Sequence, residues 1–242
     1  MRTGGRPSRT RCSSPRVRPI PARAVPPLAA VAHELRTPLG GILGCAELLA
    51  ATALDAEQRA HLDALREAAS ALAAFAEDAL ELARLGDPAA HAAVRVGPCD
   101  VRAVLAGVAR TLAPSAARRA LTLATDIADD VPAAVCVDAG ALRRVLLNLG
   151  ANAVRATRRG GVRLTAAVEP GGVLACAVVD SGSGMCEAQR QRLFRAWATG
   201  GGGDGVGLGL VLAAELAGRM GGALSVETAA GTGSTFTLRV PG

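Results

Sequence analysis

The sequence has 242 residues, of which 50% are hydrophobic, 20% charged and only 2% aromatic. That length and apolar content indicate one or two folded domains and exclude a wholly disordered chain. The longest stretch without a charged side chain runs only from Thr228 to Leu238, far short of the roughly 20 apolar residues that cross a bilayer. We therefore expect no membrane span.

The net charge of +6 would suggest a nucleic-acid partner if it were spread over a folded surface. It is confined instead to the N-terminus, where seven arginines precede the first acidic residue, Glu34, and the rest of the chain is close to neutral. A basic face carrying aromatic side chains for stacking, which is typical of nucleic-acid binding, is missing from the sequence. We expect no nucleic-acid partner.

The six cysteines are scattered along the chain without a CxxC pair, so their spacing does not indicate a zinc site. Most lie in apolar runs such as those around Cys136 and Cys176, where a reduced cysteine behaves as a small hydrophobic residue. Reduced cysteines are typical of cytoplasmic proteins. We therefore expect a cytoplasmic localisation.

The first 26 residues are rich in Arg, Pro, Ser and Gly and lack apolar periodicity, which predicts a disordered basic tail. Apolar residues then recur at steps of three and four, which predicts an amphipathic helix. They are Leu28, Val31, Leu35, Leu39, Ile42, Ala46 and Leu49. His33 is offset from this stripe, so we expect its side chain to point away from the apolar face.

A second helix is predicted from Asp55, an N-cap candidate with Gln58 three residues later. Gly86 and Pro88 supply the chemistry that ends a helix. Its apolar stripe consists of Leu65, Ala68, Leu72, Phe75, Ala79 and Leu82. Residues 27–88 therefore form an antiparallel hairpin, whose exposed apolar surface predicts a homodimeric four-helix bundle.

Residues 89–242 alternate between strand and helix patterns, which predicts an α+β fold with helices layered on a mixed sheet. Strands are expected near 92–96, 120–127, 162–168, 173–179, 223–227 and 234–240. Helices are expected near 100–113, 139–157, 187–195 and 206–218.

Chemistry-bearing residues first appear at His33-Glu34-Leu35-Arg36-Thr37-Pro38-Leu39. An outward imidazole beside a carboxylate can act as a nucleophile, with the acid orienting the ring and accepting its proton. A histidine on a helix surface is more often inert, so this segment alone leaves both interpretations open.

Two further segments place polar groups beside apolar elements. Asn148 and Asn152 are four residues apart and share one helix face, followed by Arg155. Asp180 follows an apolar strand and opens Asp-Ser-Gly-Ser-Gly, where a carboxylate can accept a hydrogen bond from an adenine amino group. Solvated amides and an ordinary turn are the alternative interpretations.

The last two segments are glycine-rich. Gly205, Gly207 and Gly209 follow the run Gly200–Gly203 and open a predicted helix, whose N-terminal amides can bind phosphate behind a mobile flap. The final segment, 231–238, has the pattern of a turn and a strand.

These five segments resemble, in order, the H, N, G1 and G2 boxes and the last conserved box of sensor histidine kinases of two-component systems. The resemblance implies a HisKA-type phosphoacceptor hairpin followed by an ATP-binding α/β sandwich of the Bergerat (GHKL) type. Leu193-Phe194-Arg195-Ala196-Trp197 stands in the place of the F box, with Ala196 and Trp197 where the family has Pro and Phe.

The resemblance also implies roles for single residues. The position of Asn152 would hold Mg²⁺ and that of Asn148 would lie by the phosphates. Arg155, where the family commonly has Lys, would contact phosphate. Asp180 and Thr235 would lie at adenine, with Gly182 and Gly184 in the turn and Gly205, Gly207 and Gly209 in the ATP lid.

A sensor histidine kinase would use ATP and Mg²⁺ to phosphorylate His33, with Glu34 withdrawing the other ring proton. The phosphoryl group would pass to an Asp of a response-regulator receiver domain. The pattern Glu34-x-x-Thr37 also resembles the one with which such kinases dephosphorylate their regulators, Thr37 orienting the water.

Two alternatives stay open on the sequence. One is a phosphotransfer or phosphatase scaffold without autokinase activity, and the other is a different GHKL ATPase or an anti-sigma-type Ser/Thr kinase. The sequence contains no recognisable sensor domain, so signal input would come from a separate sensor protein, from the tail, or from nothing.

Overall fold

The structure is a computed structural model that describes residues 26–86, 95–193 and 208–242. The predicted basic tail lies outside these residues except for Pro26. The F-box residues from Phe194 onward and the lid glycines before Leu208 also lie outside them. Among the helices that are described, none combines the length and the apolar character needed to cross a bilayer.

The N-terminal part is the predicted helical hairpin. Helix α1 spans Pro26–Ala50 and continues through Pro38, and helix α2 spans Ala56–Gly86 and packs along α1. The predicted N-cap is confirmed: Asp55 Oδ1 accepts from Gln58 N at 2.8 Å, and Gln58 Oε1 accepts from Asp55 N at 3.2 Å. This reciprocal pair fixes where α2 begins.

The apolar stripe predicted for α2 is only half buried. Ala79 and Leu82 are buried as expected, but Leu65 is 48% and Leu72 is 42% exposed. The buried apolar residues in this part of the hairpin are instead Leu39, Ala46, Leu62 and Ala69. Among the described residues, nothing covers the face of α2 that carries Leu65 and Leu72 closely enough to bury these side chains.

In the described residues of the C-terminal unit, from Arg95 to Gly242, there are seven strands. They are β1 (Gly97–Cys99), β2 (Thr122–Ile127), β3 (Val135–Val137), β4 (Gly161–Glu169), β5 (Val173–Asp180), β6 (Ala223–Ala229) and β7 (Gly233–Pro241). Five form one sheet in the order β2-β4-β5-β7-β6, with β2 parallel to β4 and the other neighbours antiparallel. Strands β1 and β3 form a separate antiparallel pair.

Helices α3 (Val101–Arg118), α4 (Ala139–Ala156) and α6 (Leu208–Arg219) contact the large sheet, while α5 (Glu187–Arg192) follows β5. Alternate strand residues face these helices and are buried, for example Leu164, Cys176 and Leu238 at 0% exposure. The opposite face is polar in part: Arg239 Nε lies 2.9 Å from Glu169 Oε2. The predicted α+β arrangement is confirmed.

Three details of the C-terminal unit differ from expectation. Residues 95 and 96 are not in a strand, and the first strand is β1 at Gly97–Cys99; residues 92–94 lie outside the described part. Helix α3 runs through Pro114 to Arg118, because the carbonyl that loses its donor belongs to exposed Arg110 and can bind water.

The third detail is β3, which is only three residues long and therefore too short for the sequence pattern to predict. Its alternation buries Val135 and Val137 and leaves Cys136 exposed. Of the two cysteines in apolar runs, Cys136 is therefore exposed, whereas Cys176 is fully buried.

Candidate functional site

Helix α4 is the element that organises the candidate site. Asp138 caps its N-terminus, with Oδ1 accepting from Ala141 N at 3.0 Å. One side of the helix is apolar and fully buried in the core, through Leu142, Val145, Leu146 and Leu149. Arg144, Asn148, Asn152 and Ala156 recur every four residues and therefore follow one another along a different side.

Both predicted asparagines make contacts with other predicted site residues. The Asn148 amide donates from Nδ2 to the carbonyl oxygen of Gly209, at 3.2 Å, which joins α4 to the first turn of α6. Asn152 Oδ1 accepts a hydrogen bond from the Arg155 guanidinium. The structure thus brings Asn148 to Gly209 and Asn152 to Arg155.

Asp180 is the last residue of β5 and is only 5% exposed. Its Oδ1 accepts from the backbone N–H of Gly182 at 2.8 Å, and the backbone N–H of Ser234 is a second donor. Burial raises the pKa of the Asp180 carboxyl above its usual value, while these two donors act in the opposite direction. The Asp180 carboxyl is therefore fixed in position by hydrogen bonds and can act as an acceptor at the end of β5.

The turn after Asp180 requires glycine at two positions. A methyl group on Gly182 would lie 2.7 Å from the Ala156 carbonyl oxygen, so this turn is packed against the C-terminal end of α4. Gly184 has a φ of +60°, and a methyl group there would lie 1.9 Å from the Ala229 carbonyl oxygen. The two glycines therefore position the turn between α4 and the loop that joins β6 to β7.

Thr235 is not brought to the side of the sheet on which Asp180 lies. Asp180 pairs with Ser234, and Thr235 pairs with Val179, so the Thr235 side chain points to the other face. Ser234 is buried at 8% exposure and stands beside Asp180 instead. The alternation of strand β7 was readable from the sequence, but its register against β5 was not.

Thr228 is a second residue near the Asp180 turn whose role no sequence pattern indicates. Its hydroxyl accepts from the Met185 backbone N–H, donates to the Gly233 carbonyl and contacts Ser234 Oγ. Each of these three contacts measures 3.0 Å. Thr228 therefore ties the turn after Asp180 to the start of β7. No motif reveals this role, because the partners come from three separate segments.

The candidate phosphoacceptor residues lie on α1. Glu34 and Thr37 are exposed, one turn apart on the helix. The expectation that the His33 imidazole faces solvent concerns a side chain outside the described part of the structure. Gly205 and Gly207 of the predicted lid also lie outside it.

Two family models match the chain in consecutive order. The His Kinase A (phospho-acceptor) domain matches residues 28–88, which include α1, α2 and the His33 segment. The histidine kinase-, DNA gyrase B-, and HSP90-like ATPase matches residues 137–242, which include α4, the Asp180 turn and α6.

Curated relatives agree with these models. The chain is 35% identical to the sensory/regulatory protein RpfC of Xanthomonas campestris over 226 residues, covering 88% of this chain and 31% of RpfC. It is 35% identical to the sensor protein TorS of Escherichia coli over 215 residues, covering 88% of this chain and 23% of TorS. The chain thus spans less than a third of either relative.

Solved structures show the same fold. The structure of full-length ShkA in complex with AMPPNP matches with a TM-score of 0.69 and 38% identity, over 90% of this chain and 46% of ShkA. The histidine kinase AdeS of Acinetobacter baumannii matches in fold, with a TM-score of 0.58 and 22% identity, over 86% of this chain and 97% of AdeS. With the phosphoacceptor model on the hairpin, the ATPase model on the C-terminal unit and relatives that span both, the chain belongs to the sensor histidine kinases of two-component systems.

Proposed function

We propose that this chain binds ATP in its C-terminal unit, phosphorylates its own His33 and passes the phosphoryl group to an Asp of a response-regulator receiver domain. The observation that carries the proposal is the grouping of Asn148, Gly209, Gly182 and Asp180 around α4, on a chain whose α1 carries His33.

Each end of the nucleotide has a group of matching chemistry. The buried Asp180 carboxyl accepts the hydrogen bond of the adenine amino group. Gly209 lies in the first turn of α6, whose positive end attracts phosphate, and Arg155 adds a cation close to Asn152. Gly205 and Gly207 would continue the phosphate contact in the lid.

The residues present also fit a magnesium ion. Mg²⁺ in nucleotide sites is held by one or two protein oxygens together with phosphate oxygens and water. The half-buried Asn152 carries one such oxygen, which would exchange its hydrogen bond from Arg155 for the ion. The ion would neutralise charge that develops on the phosphates. No cluster of three acidic, His or Cys side chains is needed for this kind of site.

The chemistry proposed at His33 is attack by a ring nitrogen. A neutral imidazole carries a nucleophilic nitrogen. A bond forms between that nitrogen and the γ-phosphorus while the bond from phosphorus to the bridging oxygen breaks, which releases ADP. Glu34, the next residue and exposed to solvent, accepts the proton from the other ring nitrogen.

The experiment that tests the proposal is incubation of the chain with γ-labelled ATP and Mg²⁺, followed by addition of a receiver domain. We expect acid-labile, alkali-stable label on the chain that then moves to the receiver. Nucleotide binding without any label would favour the scaffold alternative. Acid-stable label on a protein partner would favour an anti-sigma-type kinase.

We further propose a regulator phosphatase activity that depends on Thr37. Thr37→Ala should leave autophosphorylation within about twofold of wild type, because the proposed transfer from ATP to His33 gives the hydroxyl no role. Dephosphorylation of a phosphorylated receiver should fall at least about tenfold, since one positioned polar group contributes on this order to orienting a water. The two rates are measured separately, and equal loss of both would contradict this division of roles.

We also propose that the chain works as a homodimer through the uncovered face of the hairpin. That face carries Ile42, Leu49, Leu65 and Leu72, all more than 40% exposed. Each large apolar side chain buried between two copies contributes about 1.5–3 kcal/mol, and two hairpins joined this way form a four-helix bundle.

Ile42→Glu should convert the dimer into a monomer, because it would bury an unpaired carboxylate in an apolar interface. The mass is measured by light scattering after size-exclusion chromatography. Val96→Glu is the matched control, since Val96 is also an exposed apolar residue (64%) but lies outside the hairpin. A monomeric wild type, or a dimer that survives Ile42→Glu, would contradict the proposed interface.

A further inference from the structure

Acidic side chains of α2 face arginines of the C-terminal unit. Glu67 lies 2.8 Å from Arg119, and Asp78 Oδ1 lies 2.7 Å from Arg144 Nη2, with Glu77 at 3.9 Å from the same guanidinium. The Glu67 and Glu77 side chains are 71% and 53% exposed, whereas that of Asp78 is only 15% exposed. Asp78 is therefore the acid of the three that is enclosed between the two parts of the chain.

The second oxygen of Asp78 lies at the candidate nucleotide site. A methyl group on Gly209 would lie 3.3 Å from Asp78 Oδ2 and 3.7 Å from the Asn148 amide. Arg144, which binds the other oxygen, is one turn before Asn148 on the same side of α4. The carboxylate from the hairpin, the first turn of α6 and the Asn148 amide thus meet at one place.

The surroundings of the Asp78 carboxylate favour one negative charge but disfavour a second negative charge beside it. The first turn of α6 carries the positive end of the helix dipole, and Arg144 supplies a full positive charge beside it. Burial raises the pKa of the Asp78 carboxyl, and the neighbouring Arg144 acts in the opposite direction. A phosphate group approaching Gly209 would meet the Asp78 charge at short range.

We propose that Asp78 is a residue through which the hairpin lowers the affinity of the site for ATP: while α2 is docked, its carboxylate holds the place beside Gly209 and Asn148 that a phosphate group requires. This inference rests on the proposed function, which puts the phosphates at Gly209 and Asn148. Its consequence is that docking of α2 and binding of the triphosphate oppose each other, each weakening the other by the same factor.

The test compares two charge-removing variants of adjacent residues. Asp78→Asn keeps the shape and leaves an oxygen to accept from Arg144, but it removes the charge beside Gly209. Affinity for AMPPNP with Mg²⁺, measured by calorimetry, should become about tenfold tighter, since one unit charge is removed from a partly screened site. Glu77→Gln is the matched control, because it removes a charge near the same Arg144 from an exposed side chain, and its affinity should stay within about twofold.

Two more measurements test whether the Asp78 charge causes the change in AMPPNP affinity. Asp78→Ser should reproduce the tightening, because it also removes the carboxylate. Adenosine, which has no phosphate, should bind wild type and Asp78→Asn equally. Unchanged or weaker AMPPNP binding by both Asp78 variants, or equal tightening by Glu77→Gln, would overturn the inference while leaving the proposed function intact. A wild type that binds no nucleotide would contradict both.

Discussion

Replacing His33 with alanine is expected to abolish the acid-labile label that the wild type acquires from γ-labelled ATP. The reaction needs a nucleophilic nitrogen on α1, and a methyl side chain offers none. AMPPNP affinity should be unchanged, because the residues that we propose to bind the nucleotide lie in the C-terminal unit, on α4, α6 and the turn after β5. The measurement pairs acid and alkali stability of the label with calorimetry on the same preparation.

The hairpin supplies its own control for this variant. His61 is an exposed histidine on α2, and His61→Ala should label as fast as wild type. If His33→Ala retained label, or if His61→Ala lost it, the phosphoacceptor would not be His33. Loss of label together with loss of AMPPNP binding in His33→Ala would point to a damaged fold instead.

Much of the fold could be predicted because the determining interactions are local. The start of α2 is set by two side chains three residues apart, Asp55 and Gln58, and the structure contains both hydrogen bonds. The strands β4, β5 and β7 are marked by apolar residues at every second position, which is the pattern a sheet buried on one face requires. Local patterns of this kind can be recognised without knowing which element the helix or strand packs against.

The features that could not be predicted depend on partners distant in sequence. Choosing between Ser234 and Thr235 requires the register of β7 on β5, which a single sequence does not contain. The burial of Asp78 depends on α2 lying against α4 and α6, and nothing within α2 distinguishes Asp78 from its exposed neighbour Glu77. For the same reason, the apolar periodicity of α2 predicts that Leu65 and Leu72 are buried, whereas the described part of the chain leaves both exposed.

Asp180→Asn is expected to weaken nucleotide binding by about 100-fold, equivalent to about 3 kcal/mol. The carboxyl accepts from the Gly182 and Ser234 backbone N–H groups and is held at the end of β5. An asparagine has one acceptor oxygen and one amino group in its place, so one N–H donor, from the backbone or from adenine, must face another N–H. Calorimetry with AMPPNP and Mg²⁺ measures the loss.

Thermal unfolding distinguishes a loss of nucleotide binding in Asp180→Asn from a loss of the folded state. Burial raises the pKa of Asp180 above its value in the unfolded chain, so the ionised carboxylate disfavours the folded state at neutral pH, and a neutral amide removes that cost. The variant should therefore unfold thermally within a few degrees of wild type. Asp126→Asn is the matched control, because Asp126 is an exposed aspartate on edge strand β2 of the same sheet.

The combination of outcomes decides what Asp180 does. Weak binding with normal thermal unfolding, while Asp126→Asn binds like wild type, is what adenine recognition by Asp180 requires. A large fall in the unfolding temperature would instead make Asp180 a structural residue that joins the turn at Gly182 to β7. Unchanged affinity would contradict the adenine assignment, because no other carboxylate among the described residues is held at that end of β5 and β7.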